Sequence, residues 1–489
     1  MNGYILLLPV LLPIAAGALL SVFKFRKRTS LLIYVITVLG AEALICILTA
    51  FLGGGLSAEL FTIAQNLTLY LHADTLSKVF LVLISCIWLL AGLFSFEYME
   101  NNEREKRFYG IYLIVGGILA GLAVSGNLIT FYVFYEFMSL ISMPLVLHDR
   151  THESVMAALK YLYYSMAGAL LALFGIFVLS YNGGGSLVFT AGGIQTLSQP
   201  SAVTYIAVFF MIIGFGAKAG MFPLHAWLPA AHPVAPAPAS AVLSGVITKA
   251  GVLGVIRAVY YVAGAEMIAG TWVQYVWIIL SLATVFMGSM LAYKEKILKK
   301  RLAYSTVSQV SYVMFGLSLL NSTAFAGALL HVVFHSLAKD TLFMCAGAVI
   351  HKTGRTKVAE LKGMGKQMPC VMWCFLLASL SLIGIPPLAG FVSKWYLAVG
   401  SLETGITAAS WLGPVILLIS ALLTAGYLLP ICIQGFLPGK DYDYAVLEKK
   451  EPGYKMLIPL VIMTVFTVIL GIWPAGLLNI FADIASAVL

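Results

Sequence analysis

Charge is what this sequence has least of. Asp, Glu, Lys and Arg make up 10% of its 489 residues, against about 25% in an ordinary soluble domain. That scarcity excludes a soluble globular enzyme and a disordered chain. Cysteine is sparse too: Cys46, Cys86, Cys345, Cys370, Cys374 and Cys432 include no CxxC pair and no Cys/His spacing of zinc or cluster type. A disulfide scaffold is thereby excluded, and neither bound metal nor an iron–sulfur cluster is expected. Phosphate-binding loops, nucleophile elbows and other hydrolytic motifs are missing. No cofactor and no catalytic residue are therefore expected on this chain.

What fills the sequence is apolar. Hydrophobic residues reach 61% and the mean hydropathy is +0.98. Apolar stretches of span length recur along the whole chain, which predicts an all-α polytopic membrane protein in the lipid bilayer of the cell (inner) membrane. A transmembrane barrel would show ten-residue alternation instead. Fourteen spans are expected, at 3–23, 31–52, 75–96, 109–125, 127–147, 154–181, 203–222, 239–263, 272–293, 302–320, 323–350, 371–399, 411–437 and 456–480. The first has no basic flank before it and no clear cleavage site, so it is read as a retained span.

The basic residues test this count. With both termini outside, odd-numbered loops face the cytoplasm. Six of those seven loops hold 22 of the 29 Lys and Arg residues, from the run Lys24, Arg26, Lys27 and Arg28 in the first to Lys440, Lys449, Lys450 and Lys455 in the thirteenth. The even-numbered loops hold none, as the positive-inside bias requires. The net charge of +9 has this source, and no nucleic-acid partner is expected.

Seven basic residues remain in or at the ends of spans: Lys78, Lys160, Lys218, Lys249, Arg257, Lys339 and Lys394. Lys78 and Lys160 can snorkel from helix ends, and Arg257 can reach toward an interface. The other four lie deep. Unrelieved, they would cost on the order of 10 kcal/mol together, so they must face a polar interior or water. Glu42, Glu136 and Asp340 are the acidic residues inside spans. Glu42 is isolated on span 2 and reads as a helix contact or subunit-interface residue.

Two spans combine a deep lysine with helix breakers. Span 7 runs Gly214-Phe-Gly-Ala-Lys218-Ala-Gly220-Met-Phe-Pro223, and span 12 runs Gly384-Ile-Pro386-Pro387-Leu-Ala-Gly390-Phe-Val-Ser-Lys394. Proline removes an N–H and opens the helical ladder. Backbone freed in this way is tolerated only against protein or a water-filled cavity. A kink used only for packing is the alternative, but the two breaks correspond. Span 7 is fourth of spans 4–8, and span 12 is fourth of spans 9–13. Five is odd, so the second group starts on the opposite side of the membrane, as in inverted-repeat transporters. The expected organisation is spans 1–3 over 1–108, a first five-helix repeat over 109–264, a second over 265–437, and a cytoplasmic loop with helix 14 over 438–489.

The titratable groups line up between the halves. Glu136 is mid-span among aromatics, and with Lys218 it would form a switchable pair. Lys249 follows on span 8. His331, His335 and Lys339 recur every four residues and so share one face of span 11. Two histidines and a lysine in one file suit a proton relay. A metal site of His331 and His335 is the alternative, with no third ligand evident. Lys394 ends the line.

At this point the chain resembles the antiporter-like family shared by complex I (NADH:quinone oxidoreductase), Mrp-type cation/proton antiporters and membrane-bound hydrogenases such as formate hydrogenlyase. The resemblance spans roughly 70–480. It is carried by His72-Ala-Asp74-Thr-Leu-Ser77, by Glu136, and by Phe222-Pro-Leu-His225-Ala-Trp227-Leu-Pro229-Ala-Ala-His232-Pro233 with Pro236-Ala-Pro238-Ala-Ser240-Ala after it. Lys299-Lys-Arg301-Leu-Ala-Tyr304-Ser305-Thr-Val-Ser-Gln309 and Gly384-Ile-Pro386-Pro387-Leu-Ala-Gly390-Phe complete it.

The resemblance implies fourteen helices with two inverted five-helix repeats. It implies Glu136 and Lys218 as a coupling pair, Lys249 as the central lysine, His331, His335 and Lys339 as a polar bridge, and Lys394 as the terminal group. Some members carry glutamate at this last position, and Asp340 directly after Lys339 departs from the usual pattern. The chain ends at Leu489, shortly after span 14, so the type continuing in a lateral amphipathic helix is not expected. The stretch from His225 looks most like hydrogenase subunits, whereas length and Lys394 suit the D-type component of Mrp antiporters. Two functions follow as expectations. One is a proton-translocating subunit, with sodium left open, of a redox-driven complex, with hydrogenase or dehydrogenase subunits as partners. The other is a subunit of a cation/proton antiporter without redox chemistry. A membrane scaffold with vestigial charges is the bland third.

Overall fold

The computed structural model describes residues 3–52, 55–64, 67–183, 187–197, 200–439 and 448–489. Helices dominate it. They are α1 (Gly3–Val22), α2 (Arg28–Leu52), α3 (Thr75–Tyr98), α4 (Glu105–Ala123), α5 (Leu128–Val146), α6 (His152–Asn182), α7 (Ala202–Ala219), α8 (Leu228–Val234) and α9 (Ala237–Ala263). After these come α10 (Trp272–Lys294), α11 (Leu298–Ser318), α12 (Ser322–Thr353), α13 (Pro369–Ile383), α14 (Ala389–Leu402), α15 (Thr407–Phe436), α16 (Tyr454–Ile472) and α17 (Ala475–Val488).

Local chemistry sets many of the ends. Asp74, Asn127, Thr151, Ser201 and Asn321 each accept a backbone N–H three residues on and so start α3, α5, α6, α7 and α12, the role for which short polar side chains are preferred. Gly220 and Gly384 end α7 and α13 with φ of 82° and 93°, a left-handed conformation open to glycine at little cost.

Twelve helices among the described residues are long and apolar enough to cross a membrane. Two further crossings bring the total to fourteen. One is α11, whose first turn carries Lys299, Lys300 and Arg301 and lowers its hydropathy. The other is the broken pair α13 and α14, each half too short to cross alone. The last span differs from expectation. It stops at Ile472, and Pro474 precedes the separate helix α17, which packs on α12 through a face including Phe481, Ile484 and Val488.

A second addition lies in the loop after α2. Strands β1 (Ser57–Ala64) and β2 (Leu67–His72) pair antiparallel, with Ser57 opposite His72 and Thr62 opposite Thr68. Their threonines, Phe61 and Tyr70 suit an extended backbone.

Loops sort by parity onto two faces. On one face Leu71 bridges to Ser125, Asn127 to Val188, and Thr190 N–H to the Tyr261 carbonyl; these are even-numbered loops. On the other face, Ile297 bridges to Lys357, Arg104 donates to the His148 and Asp149 carbonyls, and Lys352 pairs with Glu97. There the basic odd-numbered loops meet. Lys440, one of their basic residues, lies outside the described residues.

The molecule is apolar outside and polar within. Leu44, Phe51, Leu170, Phe177, Ile279, Leu418 and Leu422 are among many exposed large hydrophobic side chains, while Lys218, Lys249, Arg257, Lys339 and Asp340 are buried. A surface so apolar marks contact with lipid or other membrane proteins.

The two groups of five helices share a plan of contacts. In each group the first crossing packs on the second, the second on the third, the third on the broken fourth, and the fourth on the fifth. Matching the two left-handed glycines sets Gly220-Met-Phe-Pro-Leu224 against Gly384-Ile-Pro-Pro-Leu388. In both, the left-handed glycine is followed three residues later by a proline after a cis peptide bond, at Phe222-Pro223 and Pro386-Pro387.

Candidate functional site

Lys218 occupies the last turn of α7 and is fully buried. Its Nζ donates to Tyr161 Oη at 2.9 Å and Ser165 Oγ at 2.8 Å. The rings of Tyr161, Trp227 and Tyr135 surround it, Tyr161 nearest at 4.2 Å. Glu136 is not its direct partner here: its Oε1 accepts from Tyr132 Oη at 3.1 Å. Glu136 is half-buried and sits beside the exposed Phe137. The two residues of the expected pair are neighbours that do not touch.

From Lys218 the polar file crosses to α9. Gly251 is the contact point, because a Cβ there would lie 2.5 Å from the Phe215 carbonyl and 3.0 Å from Lys218 Cβ. Two residues earlier on α9, Lys249 is buried. It donates to the Ser244 carbonyl at 2.6 Å, and its Nζ lies 2.7 Å from His335 Nδ1. The α9 backbone is wound as a π-helix over Leu243–Ile247, a local widening that is frequent at functional sites.

On α12 the four-residue spacing puts two of the three side chains, His331 and His335, in line. His335 and His331 have ring centroids 5.9 Å apart. His331 Nδ1 lies 2.9 Å from Ser393 Oγ, beside Lys394. Lys339 turns to α11 and donates to the Leu302 carbonyl at 3.1 Å. Among the described residues no group of three or more His, Cys, Asp or Glu side chains gathers as a metal site.

Lys394 follows its break, whereas Lys218 precedes its own. Their ammonium groups also find different partners. Lys394 reaches back to the Leu382 and Ile383 carbonyls at 2.5 and 3.2 Å, and Leu382 is the residue aligned with Lys218. The Lys394 ammonium thus sits at the C-terminal end of a half-helix, where unpaired carbonyls and the helix dipole favour positive charge, whereas Lys218, in the last turn of α7, turns its ammonium to Tyr161 and Ser165. The Tyr312 ring, 4.9 Å from Lys394 Nζ, closes this end of the file.

Three groups that sequence reasoning left outside the file join the picture. Lys299 reads as one more loop charge, yet it is buried and its ammonium caps the Pro233 and Ala235 carbonyls. It lines a cleft of about 370 Å³ on the odd-loop face, with Tyr98, Asn102, Asp149 and His351. Behind it His232 stacks on Phe343 at 4.6 Å, and neither of its ring nitrogens has a partner among the described residues. The Lys-Lys-Arg run opening a helix was the available signal. Arg257, read as reaching an interface, is instead 1% exposed and clamps Asp74, 22% exposed, with two guanidinium nitrogens. Ser77 Oγ accepts a third bond, and Phe189 and Tyr261 flank the guanidinium. No sequence signal links residues 183 positions apart. Asp340 is the third: it is fully buried, with no donor on either oxygen among the described residues.

Comparisons with known proteins agree with this geometry. The sequence profile described as "NADH:quinone oxidoreductase/Mrp antiporter, TM" matches residues 125–424, and "NADH-Ubiquinone oxidoreductase (complex I), chain 5 N-terminus" matches 61–109. NADH-quinone oxidoreductase subunit N of Desulforudis audaxviator is 35% identical over 416 residues, covering 82% of this chain and 81% of that one. The D-type component of the Na(+)/H(+) antiporter of Alkalihalophilus pseudofirmus is 28% identical over 494 residues, covering 100% and 98%. A chain of the Mrp complex from Dietzia sp. DQ12-45-1b superposes with a TM-score of 0.87 at 22% identity, covering 99% and 97% of the two chains, and shares the fold. Fourteen crossings, two matching breaks and a buried cationic file thus coincide with a profile match over most of the chain, which belongs to the NADH:quinone oxidoreductase/Mrp antiporter transmembrane family.

Proposed function

We propose that this chain moves protons across the cell (inner) membrane as one subunit of a redox-driven complex of the hydrogenase or NADH/quinone dehydrogenase type. The observation that carries this reading is the file itself. Lys218, Lys249, His335, His331 and Lys394 follow one another across both repeats, linked by Gly251 packing, a 2.7 Å contact and Ser393. Buried ionisable groups inside a membrane are expensive and mark ion paths. Lysine and histidine can each hold and release a proton when burial and neighbours favour the neutral form. Lys339 flanks the file and tunes its charge. The odd-loop face, with its basic residues and the Lys299 cleft, is the cytoplasmic side in this reading, and both termini are outside.

Glu136 supports partner subunits. It lies halfway along α5, half-buried, beside exposed Phe137 and Leu140. A carboxyl at that depth facing lipid would be costly, so a second membrane subunit covers it. Glu136 is then the group through which that neighbour's charge reaches Lys218.

The full-length similarity to the D-type antiporter component favours a second reading, a cation/proton antiporter complex without redox chemistry, in which sodium is the other ion. Mild-detergent purification of the tagged native chain, with mass-spectrometric identification of its companions, separates the two. Iron–sulfur, nickel or flavin subunits are expected. Small hydrophobic partners alone would select the antiporter, and recovery of the chain by itself would overturn both.

A further inference from the structure

Asp340 lies outside the file just described, yet the structure is shaped around it. The carboxylate rests flat on Gly245: a Cβ built there would stand 2.1 Å from both Oδ1 and Oδ2. Glycine therefore leaves the space the carboxylate fills. Gly245 sits within the π-helical turn of α9, next to Ser244, whose carbonyl holds the Lys249 ammonium at 2.6 Å. Gly245 and Lys249 are four residues apart and share a face of α9. On α12, Ser336 is four residues before Asp340 and donates to the Gly245 carbonyl at 2.6 Å, pinning the two helices together at this spot. Both Asp340 oxygens nevertheless lack a donor among the described residues. A buried polar group left unpaired calls for an explanation, and an unpaired buried charge costs several kcal/mol.

We propose that Asp340 is a positioning residue for Lys249: a second docking point for its ammonium, opposite His335. The inference rests on the proton-translocating reading above. Lys249 has two acceptors on α12, His335, which it meets, and Asp340, five residues further along. In the first position the ammonium pairs with the Asp340 carboxylate. In the second, seen here, it faces His335 Nδ1 and gives up one proton: the Lys249 N–H bond breaks, an N–H bond forms on the imidazole, and a neutral amine remains. The carboxylate then stabilises the next proton that reaches Lys249 from the Lys218 side, and the ammonium returns to it. Lys218 has Glu136 as its acidic neighbour on α5; Asp340 gives Lys249 an acidic neighbour from the other repeat. The ionisable groups facing Asp340 are Lys249 on α9 and Tyr112 on α4, with Lys339 beside it on α12.

The test uses membrane vesicles holding the complete complex. Acidification is followed with a pH-sensitive acridine dye under whichever driving force, electron donor or imposed sodium gradient, works for the wild type. Asp340→Asn keeps the shape and removes the charge. At least a tenfold loss of rate is expected, with the alkaline limb of the pH–rate profile moved to lower pH, because Lys249 then takes up its proton without a counter-charge. Gly245→Ala, which displaces the carboxylate, is expected to shift the profile in the same direction. A purely packing role would lower the amount of assembled complex and leave the profile of the remainder in place. Wild-type rate and profile in assembled Asp340→Asn would overturn the inference. If that variant does not assemble, an unchanged profile in Gly245→Ala would do so. Wild-type vesicles that move no protons under either driving force would instead defeat the underlying functional reading.

Discussion

Replacing Asp74 with Asn perturbs the best-defined buried charge pair outside the file. Asparagine can still accept the Ser77 N–H that starts α3, so the helix cap survives and only the charge goes. Arg257, 1% exposed, then keeps its charge without a counter-ion. Breaking a buried pair from one side costs about 3–5 kcal/mol. The bond to Ser77 Oγ and the rings of Phe189 and Tyr261, 4.7 and 4.4 Å away, remain. Being present in both proteins, they do not enter the difference, so the expected loss is about 3–5 kcal/mol, read as a lower midpoint in detergent unfolding followed by tryptophan fluorescence. The pH dependence has a definite sign. Burial alone would raise the Asp74 carboxyl, but the Arg257 charge and hydrogen bonds, helped by Ser77, outweigh it and hold the group well below the usual carboxylate range. A depressed carboxyl stabilises fully above its unfolded value of about 3.9 and loses that contribution only as pH falls through the folded value. The gap between wild type and Asp74→Asn is therefore constant from neutral pH to about 5 and closes in strong acid. Adding Arg257→Leu should restore most of the loss, since an apolar replacement of both partners is often neutral. A single variant within about 0.5 kcal/mol of wild type, the usual spread of an inconsequential substitution, or a double variant worse than the single, would refute this reasoning.

Other outcomes follow from neighbouring features. Burial, with Arg107 and Arg104 nearby, pulls the His148 imidazole down to about 4. Its neutral form stabilises the loop between α5 and α6 above about pH 6.5, and that contribution fades as pH falls from there to about 4; hydrogen exchange of residues 147–151 against pH reads it, and exchange flat across that window would contradict it. Gly384→Ala forces a side chain onto a backbone at φ 93° and puts a Cβ 3.0 Å from Lys394 Cδ. It should cost about 1–3 kcal/mol and slow proton movement by displacing Lys394, and equal stability and rate would count against the described break. Glu136→Gln should leave the fold intact and cut coupled transport at least tenfold, measured in the same vesicles; unchanged transport would remove Glu136 from the path.

Much of the architecture was legible because its signals are local. Apolar runs and the one-sided basic residues define the crossings, and Gly-Pro clusters mark both breaks. Lysines at membrane depth announce the file through their cost alone. Contacts over long sequence distances stayed hidden. The aromatic box around Lys218 comes from α5, α6 and the α7–α8 connection, so the preference of Lys218 for Tyr161 and Ser165 over Glu136 depends on packing. The hairpin over 57–72 is too short to stand out between two spans. The register of Gly220-Met-Phe-Pro-Leu224 on Gly384-Ile-Pro-Pro-Leu388 is visible in the letters, but only the shared left-handed glycine and cis proline make it meaningful. Lys218 and Lys394 lie on opposite sides of those breaks in sequence, and folding alone brings Lys394 back to a half-helix C-terminus.

The central claim is that protons pass along this file from one repeat to the other, with Lys394 at its end. The most direct test is proton movement by the assembled complex carrying Lys394→Ala, with the amount of complex measured in the same vesicles. The account predicts normal assembly and a loss of coupled transport of about a hundredfold or more, the scale of removing a proton-transfer group. Transport at the wild-type rate by a normally assembled variant would contradict it.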